Sequence, residues 1–509
     1  MLNSRTGKKW TGLKKNSGLD VGLPEEPLSF LEPSPVESDL SRKDRLCRKI
    51  IEYGLLALII FSPLPAASVY DWAILLIELT AVFLTAVYFM MKKPPSLNQK
   101  LAPRLKWPRL AFALLFLLYI PFQIVPIPKS LLRLFSPRAF SMQQDFSPRF
   151  AELKSLSLSL IPSRTLREAL QLLAYVLIGF LVVKVITHRA QIKRMMTVIV
   201  CLGIFEAFYG LFELYQKNPH ILFQKKVHFL DSATGTFVNR NHFSGYLELV
   251  IPLAISLIIS RIDLFTMHRK KWKDRIAALT GKGTSVNILL TIGFVVMSLA
   301  LLLSNSRSGG VLLIMTFLIF FEMTVFYFGK VRYRRAWIKN FLIVTFLIIT
   351  VIALYTGIES MIGRFSLDNL LQEGRPRYWS TVMRIIKDFP LFGAGLGTFG
   401  LTYEAYETLG SEWTLVHAHN DYLEYMSELG ILGFALLAAG ILYILADAFL
   451  TWSKRRNPDI KSLAMGGLVS VFIILVHSLT DFNLHIPANV LLFAVILSLS
   501  WSTVYYRKS

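Results

Sequence analysis

Apolar runs long enough to cross a membrane recur from about residue 50 to the end of the chain, and they restrict its fold more than any other feature. An α-helix needs about 20 consecutive apolar residues to cross about 30 Å of hydrocarbon. Runs of this kind can be marked at 50–66, 70–91, 109–127, 166–187, 195–215, 243–260, 287–304, 309–328, 340–357, 421–451, 462–480 and 488–505. The chain therefore reads as an all-α polytopic integral membrane protein of about 12 transmembrane helices. Composition points the same way, because 54% of the 509 residues are hydrophobic and only 17% are charged. Counting soluble domains by length does not apply to such a chain.

A formal net charge of +22 raises the question of nucleic acid, and the positions of the basic residues decide against it. Lys92, Lys93, Lys100, Arg104, Lys106 and Arg109 crowd the loop after the second run without any acid, and the bias returns at 184–194, 261–282, 330–339 and 454–461. If the runs alternate, all these loops lie on one side, which the positive-inside rule makes cytoplasmic. Both termini are then cytoplasmic as well. Residues 1–49 mix charges and prolines with few large apolar groups, so a disordered cytoplasmic tail is expected, followed by a membrane domain over 50–509. The tail lacks the apolar core of a cleavable signal peptide, so the first run is expected to stay as a helix. Cys47 and Cys201 are far apart, and both are read as packing residues rather than a disulfide.

The segments on the other side, 128–165, 216–242, 304–310, 358–420 and 481–487, carry the unusual chemistry. The first contains SLSLSLIPSRT, read as a short edge strand before a helix capped by Ser163 or Thr165. Another places Asn239, Arg240, Asn241 and His242 just before an apolar helix, where Asn241 is either an N-cap or a contact for a polar ligand. In the turn SNSRSGG, Arg307 sits near membrane depth on the side where the charge rule gives no reason for an arginine. An ionisable residue there usually faces a protein interior or a watery cavity, and Gly309 and Gly310 would admit a bulky group.

The long segment 358–420 adds Arg364, Arg375, Arg377, Arg384 and Lys387. Arginine forks match phosphate oxygens two at a time, so Arg375 and Arg377 read as an anion site, while Arg384 and Lys387 read as decoration of a surface helix. The run GAGLGTFG has no strand–turn–helix context for a dinucleotide and is read as a glycine turn over the cavity. His417, His419 and Asp421 alternate, yet no fourth ligand stands at a recognisable spacing, so a single histidine acting as acid or base is preferred and no metal is expected. Asn420 can cap the following helix, whose Asp421 and Glu424 suit its positive end, which leaves His419 as the residue most lacking a structural explanation. Near the end, HSLTDFNLHIPAN brings Asp481 to the same side, either as a cap or as a supporting residue.

Together these residues resemble the O-antigen ligase and polymerase superfamily of bacterial envelope glycosyltransferases. Its ligases carry a pattern of His, then Asn, Ser or Gln, and two later glycines, met here by His419, Asn420, Gly430 and Gly433. RPRYW, DFPLFGAGLGTF, SRSGG and GTFVNRNHFSGYLEL add to the likeness, which covers most of 110–504. The resemblance implies a GT-C-like bacterial inner-membrane enzyme with a large periplasmic loop between spans 9 and 10. It would take a glycan from undecaprenyl diphosphate and attach it to an acceptor hydroxyl such as that of lipid A-core, with no nucleotide sugar and no metal or other cofactor. Arg307 and one or both of Arg375 and Arg377 would hold the diphosphate, His419 would act at the acceptor hydroxyl or leaving group, and Asn241, His242, Asn420 and Asp481 would support them.

An O-antigen ligase is the leading expectation. A repeat-unit polymerase and a protein O-oligosaccharyltransferase are the rivals within the superfamily. A transporter is the rival from another class, disfavoured because the polar residues collect in loops and no inverted halves are apparent.

Overall fold

The computed structural model describes residues 41–92, 107–147, 150–261, 282–327, 332–356, 362–364, 366, 375–407 and 415–506. Its helices are α1 (Arg42–Phe61), α2 (Asp71–Phe89), α3 (Trp107–Ile124), α4 (Lys129–Phe135), α5 (Pro137–Phe146), α6 (Pro162–Val185), α7 (Arg189–Leu214), α8 (Arg240–Arg261), α9 (Lys282–Leu302), α10 (Arg307–Tyr327), α11 (Arg332–Thr356), α12 (Arg375–Asp388), α13 (Phe399–Tyr406), α14 (Asp421–Ser453), α15 (Pro458–His477) and α16 (Pro487–Tyr505). Ten of these, α2, α6 to α11 and α14 to α16, are long and apolar enough to cross a membrane. α1 and α3 occupy the places of the other two expected spans.

α1 begins inside the stretch expected to be a disordered tail. Ser41 Oγ accepts from the Asp44 backbone N–H at 3.1 Å and caps it. Two of the charges that made 42–49 read as solvated, Asp44 and Arg48, are buried and have partners in the fold. Asp44 accepts from the Lys92 N–H at 3.0 Å, and buried Arg48 donates to Gln191 Oε1 at 2.9 Å and to Thr187 Oγ1 at 2.8 Å. Residues 1–40 lie outside the described residues. Cys47 is buried as expected, whereas Cys201 is exposed on the outside of α7.

α8 is the axis of the bundle. Every residue from His242 to Ser260 is buried, as fits a helix that is apolar on all sides. Small residues let its neighbours approach closely: a Cβ on Gly203 of α7 or Gly466 of α15 would fall 2.6 Å from Val250 Cγ1 or 2.5 Å from Ser256 Oγ. Gly309 belongs to the same set, since its Cβ would meet Ser244 Oγ at 2.0 Å. Its purpose is therefore contact between α10 and α8 rather than room for a ligand.

The segments expected as two separate loops, 128–165 and 358–420, fold together outside the bundle. Strand β1 (Ile127–Pro128) pairs antiparallel with β2 (Ser155–Leu156), confirming a strand in the SLSLSL run. Leu132, Ala139, Met142 and Leu158 from the first segment share one apolar core with Val382, Ile385, Phe389, Phe399 and Tyr403 from the second. The polar stretch is thus half of a small packed body seated on the bundle. α3 joins the two: Gln123 Nε2 donates to the carbonyls of Phe392 at 2.7 Å and Glu428 at 2.9 Å.

α14 is not the single straight span the sequence led us to expect. Gly430 breaks it with φ 63 and ψ −179, and a Cβ there would lie 2.4 Å from the Leu391 carbonyl. Only glycine combines that backbone angle with that closeness.

Candidate active site

Four of the residues singled out in the sequence, Asn241, His242, Arg375 and His419, converge on a fifth, Asp481, in the turn between α15 and α16. Its side chain is 1% exposed. It accepts from Asn241 Nδ2 at 2.6 Å, from the Phe482 backbone N–H at 2.9 Å and from Arg375 Nη2 at 3.4 Å. His419 Nδ1 lies 3.3 Å from Asp481 Oδ1, and His242 Nε2 lies 3.8 Å from the same oxygen. Burial pushes this carboxyl up, but the bonds and charges of His242 and His419 outweigh it and hold Asp481 well below the usual carboxylate range. An ionised Asp481 can only accept, so Nδ1 of His419 carries the proton and Nε2 is left for other chemistry.

His419 is held in place by its neighbours in sequence and space. Asn420 caps α14 as expected, its Oδ1 accepting from the N–H groups of Tyr422 and Leu423 at 3.1 Å. Its amide Nδ2 donates to the Leu479 carbonyl at 2.9 Å, tying the histidine segment to the turn that holds Asp481. His419 itself has φ 50, an uncommon left-handed conformation for a residue with a Cβ. Trp379 of the RPRYW stretch donates from Nε1 to the Ala418 carbonyl at 3.0 Å, so this tryptophan positions the backbone beside His419. Phe482 fills the centre, with the rings of His417, His242 and His419 around it at 4.2, 4.4 and 4.9 Å.

Asn241 is not the cap of α8. Asn239 Oδ1 accepts from the Asn241 N–H at 2.9 Å and takes that position, which frees the Asn241 amide for Asp481. Thr165 and Ser163 likewise do not cap α6, which has no side-chain cap. Thr165 Oγ1 instead donates to the Leu396 carbonyl at 2.8 Å.

Four arginines lie together beside this centre. Arg307 Nη1 donates to the Arg364 carbonyl at 3.4 Å, and Arg364 donates in turn to the carbonyl of Asn305. Asn305 sits at φ 57 in the turn before α10, with Nδ2 donating to the Asp231 carbonyl at 2.9 Å. Arg240 donates to Ser232 Oγ at 3.1 Å and lies 3.9 Å from Asp231 Oδ1. Burial pulls Arg364 down, and the charges of Arg240, Arg307 and Arg375 add to it, to about 10 despite the opposing Asp231. Such a group of like charges, partly withdrawn from water, favours an anion. Arg377 lies elsewhere. Two residues from Arg375 on one helix, it points to a different face and is exposed. Arg384 donates to Thr381 Oγ1 at 3.0 Å on the same helix, in keeping with a surface role.

The glycine run is not a cover over this centre. The Ala394 and Gly395 N–H groups donate to the carbonyls of Ser427 at 2.9 Å and Glu428 at 3.0 Å, so the turn packs backbone to backbone against the break in α14. Gly433 serves α3, since its Cβ would lie 2.3 Å from Tyr119 Cε1. Of the four motif positions, His419 faces the centre, Asn420 caps, and the two glycines allow close packing.

A second acid–histidine group lies behind the first. His417 Nδ1 is 2.7 Å from Glu424 Oε1, and His485 Nδ1 is 2.6 Å from Asp421 Oδ1, with its Nε2 3.5 Å from Glu424. The acids of α14 are therefore more than complements to a helix end, and His417 and His419 have different partners. Burial pulls His485 down, but Glu424, Asp421 and Glu428 outweigh it and raise it to about 10. A raised histidine stabilises fully below its ordinary value of about 6.5, and that stability is lost as pH climbs through the folded value. Thermal unfolding in detergent should therefore show a melting temperature that falls between pH about 6.5 and 10, with that slope much reduced in His485→Gln. An unchanged slope in the variant would exclude this pair as the cause.

Sequence reasoning missed the joining of Arg364 and Arg240 to Arg307, the role of Trp379 and the His417–Glu424–His485 group. The signal available was weak: each residue sat in a polar segment already noted, but nothing in its spacing named its partner. Residues 292–438 match the family model described as O-antigen ligase. That stretch holds Arg307, Arg364, Arg375 and His419, while Asn241, His242 and Asp481 come from outside it. No curated protein matches the chain.

Proposed function

We propose that the chain is an O-antigen ligase that moves a glycan from undecaprenyl diphosphate to a hydroxyl of lipid A-core, a reading that the match of residues 292–438 to the O-antigen ligase family model supports. The observation that carries this reading is His419 Nδ1 at 3.3 Å from a buried Asp481 that also accepts from Asn241 and Arg375, with Arg307 and Arg364 alongside. Asp481 orients the imidazole, and Nε2 takes the proton of the acceptor hydroxyl as its oxygen bonds to the anomeric carbon. The bond from that carbon to the diphosphate oxygen breaks, and the charge appearing on the lipid diphosphate is stabilised by Arg307, Arg375, Arg364 and Arg240. Arg375 is assigned in preference to Arg377 because it reaches Asp481 and Arg377 points away. In this reading the protein lies in a bacterial inner membrane with both termini in the cytoplasm and the site facing the periplasm, an orientation that the distribution of basic loops supports.

A deletion strain tests the assignment. Loss of a ligase leaves unsubstituted lipid A-core and accumulated carrier-linked polymer. A core bearing a single repeat unit would instead identify a polymerase, and unglycosylated envelope proteins with normal lipopolysaccharide would identify a protein oligosaccharyltransferase. Arg307→Lys keeps the charge but loses the planar fork, so transfer should fall about 10-fold or more with the protein still in the membrane. Full activity in that variant would exclude a paired contact between this guanidinium and phosphate.

A further inference from the structure

Between α7 and α8 the chain makes a tight hairpin in which strand β3 (His220–Ile221) pairs with β4 (Gln224–Lys225). The turn residues are Leu222, at φ 51, and Phe223. Phe223 is 99% exposed. A whole aromatic ring at a turn, where small polar residues are the rule, loses its burial energy unless something outside the chain covers it.

Two tyrosine hydroxyls hold the hairpin alongside the bundle. Tyr209 OH donates to the His220 carbonyl and accepts from the Leu222 N–H, both at 2.7 Å. Tyr209 lies on α7 more than one turn before its end at Leu214, which at 1.5 Å per residue is about 7 Å back along the axis. On the other flank Tyr70 OH, at the residue before α2, donates to Gln224 Oε1 at 2.7 Å. The turn is thus drawn back beside two spans.

The surfaces it joins are those a bilayer would cover. Phe205, Phe208 and Phe212 are exposed along α7, Tyr215 follows at its end, and Trp72 is exposed at the start of α2. Lys217 and Lys225, on either side of the hairpin, are also exposed. Aromatic rings with flanking lysines form the usual composition of a membrane–water interface, with rings at headgroup level and ammonium groups among phosphates.

We propose that the 220–225 hairpin is a wedge into the lipid leaflet: Phe223 enters the acyl boundary beside α7 and α2, and Lys217 and Lys225 meet anionic headgroups. The hairpin leads directly into the segment whose Lys226 donates to Glu213 Oε1 at 3.0 Å and whose Asp231 and Ser232 contact Asn305 and Arg240. Anchoring it sets the height of the arginine group above the hydrocarbon. This holds whichever glycan the enzyme transfers.

The test uses the full chain in vesicles of phosphatidylethanolamine and phosphatidylglycerol, with photoreactive benzoylphenylalanine placed at Phe223 or, as a control, at exposed Asn218. Irradiation should yield at least about 5-fold more lipid adduct from position 223 than from 218. In a Cys201→Ser background, Phe223→Cys should also react at least about 10-fold more slowly than Asn218→Cys with a water-soluble maleimide. Cross-linking of position 223 to a second copy or another protein would overturn the proposal. So would equal lipid adducts at both positions or equal maleimide rates.

Discussion

His419→Ala should reduce glycan transfer by at least about 100-fold, since a positioned acid or base contributes about 100- to 10,000-fold. The loss should appear without a loss of protein from the membrane, because His419 is a partly exposed ring whose side-chain polar contact among the described residues is one bond to Asp481, at 3.3 Å. Transfer is read as lipid A-core substituted with polymer in a complemented deletion strain, and protein level by immunoblot of the membrane fraction. His417→Ala is the informative comparison. His417 stacks on Phe482 with ring centres 4.2 Å apart and bonds Glu424, so its removal should lower thermal stability more than transfer per molecule. Near-normal transfer by His419→Ala would remove the acid–base assignment.

Asp481→Asn should be comparably damaging, and for a different reason. The carboxylate accepts from Asn241, Arg375, the Phe482 N–H and His419, and an amide in its place presents donors to donors. It also removes the carboxylate charge that Arg375 Nη2 meets at 3.4 Å, which weakens a charge-assisted contact. We expect transfer to fall by at least about 100-fold, with Asp481→Glu recovering part of it by restoring the charge at shifted geometry. A purely structural role would give equal losses of folded protein and of transfer. Folded protein at normal level with transfer lost would establish Asp481 as a positioning residue, while normal transfer would refute the arrangement.

Much of this molecule could be read from local pattern, because the bilayer imposes a length and a polarity on each span. The apolar runs appear as helices in the expected places, ten of them meeting the length and hydropathy a crossing requires. Asn420 was legible as a cap because capping depends on a residue and the next few N–H groups. Asn241 was not, because the competitor for the cap, Asn239, is two residues away and the partner that claims Asn241 is 240 residues away. Gly309 was legible as a place of close approach, Gly393 as part of a glycine turn and Gly430 as a position in the family pattern, but what approaches each is chosen by packing: Ser244 in the first case, and backbone in the other two.

The sequence by itself determined an all-helical membrane chain, its family likeness and the short set of polar residues that needed explanation. Each of these rests on composition within one turn or one span, where neighbouring residues supply the physics. Tertiary structure alone decided that the two large loops form one body with a shared core, that Arg375 faces the centre and Arg377 does not, and that the stretch 375–420 holds His419 against Asp481 from the far end of the chain. The deciding quantity there is the position of a buried carboxylate. A charge removed from water must be met by several donors at once, and only the packed fold brings donors from α8, α12 and the segment before α14 to one point.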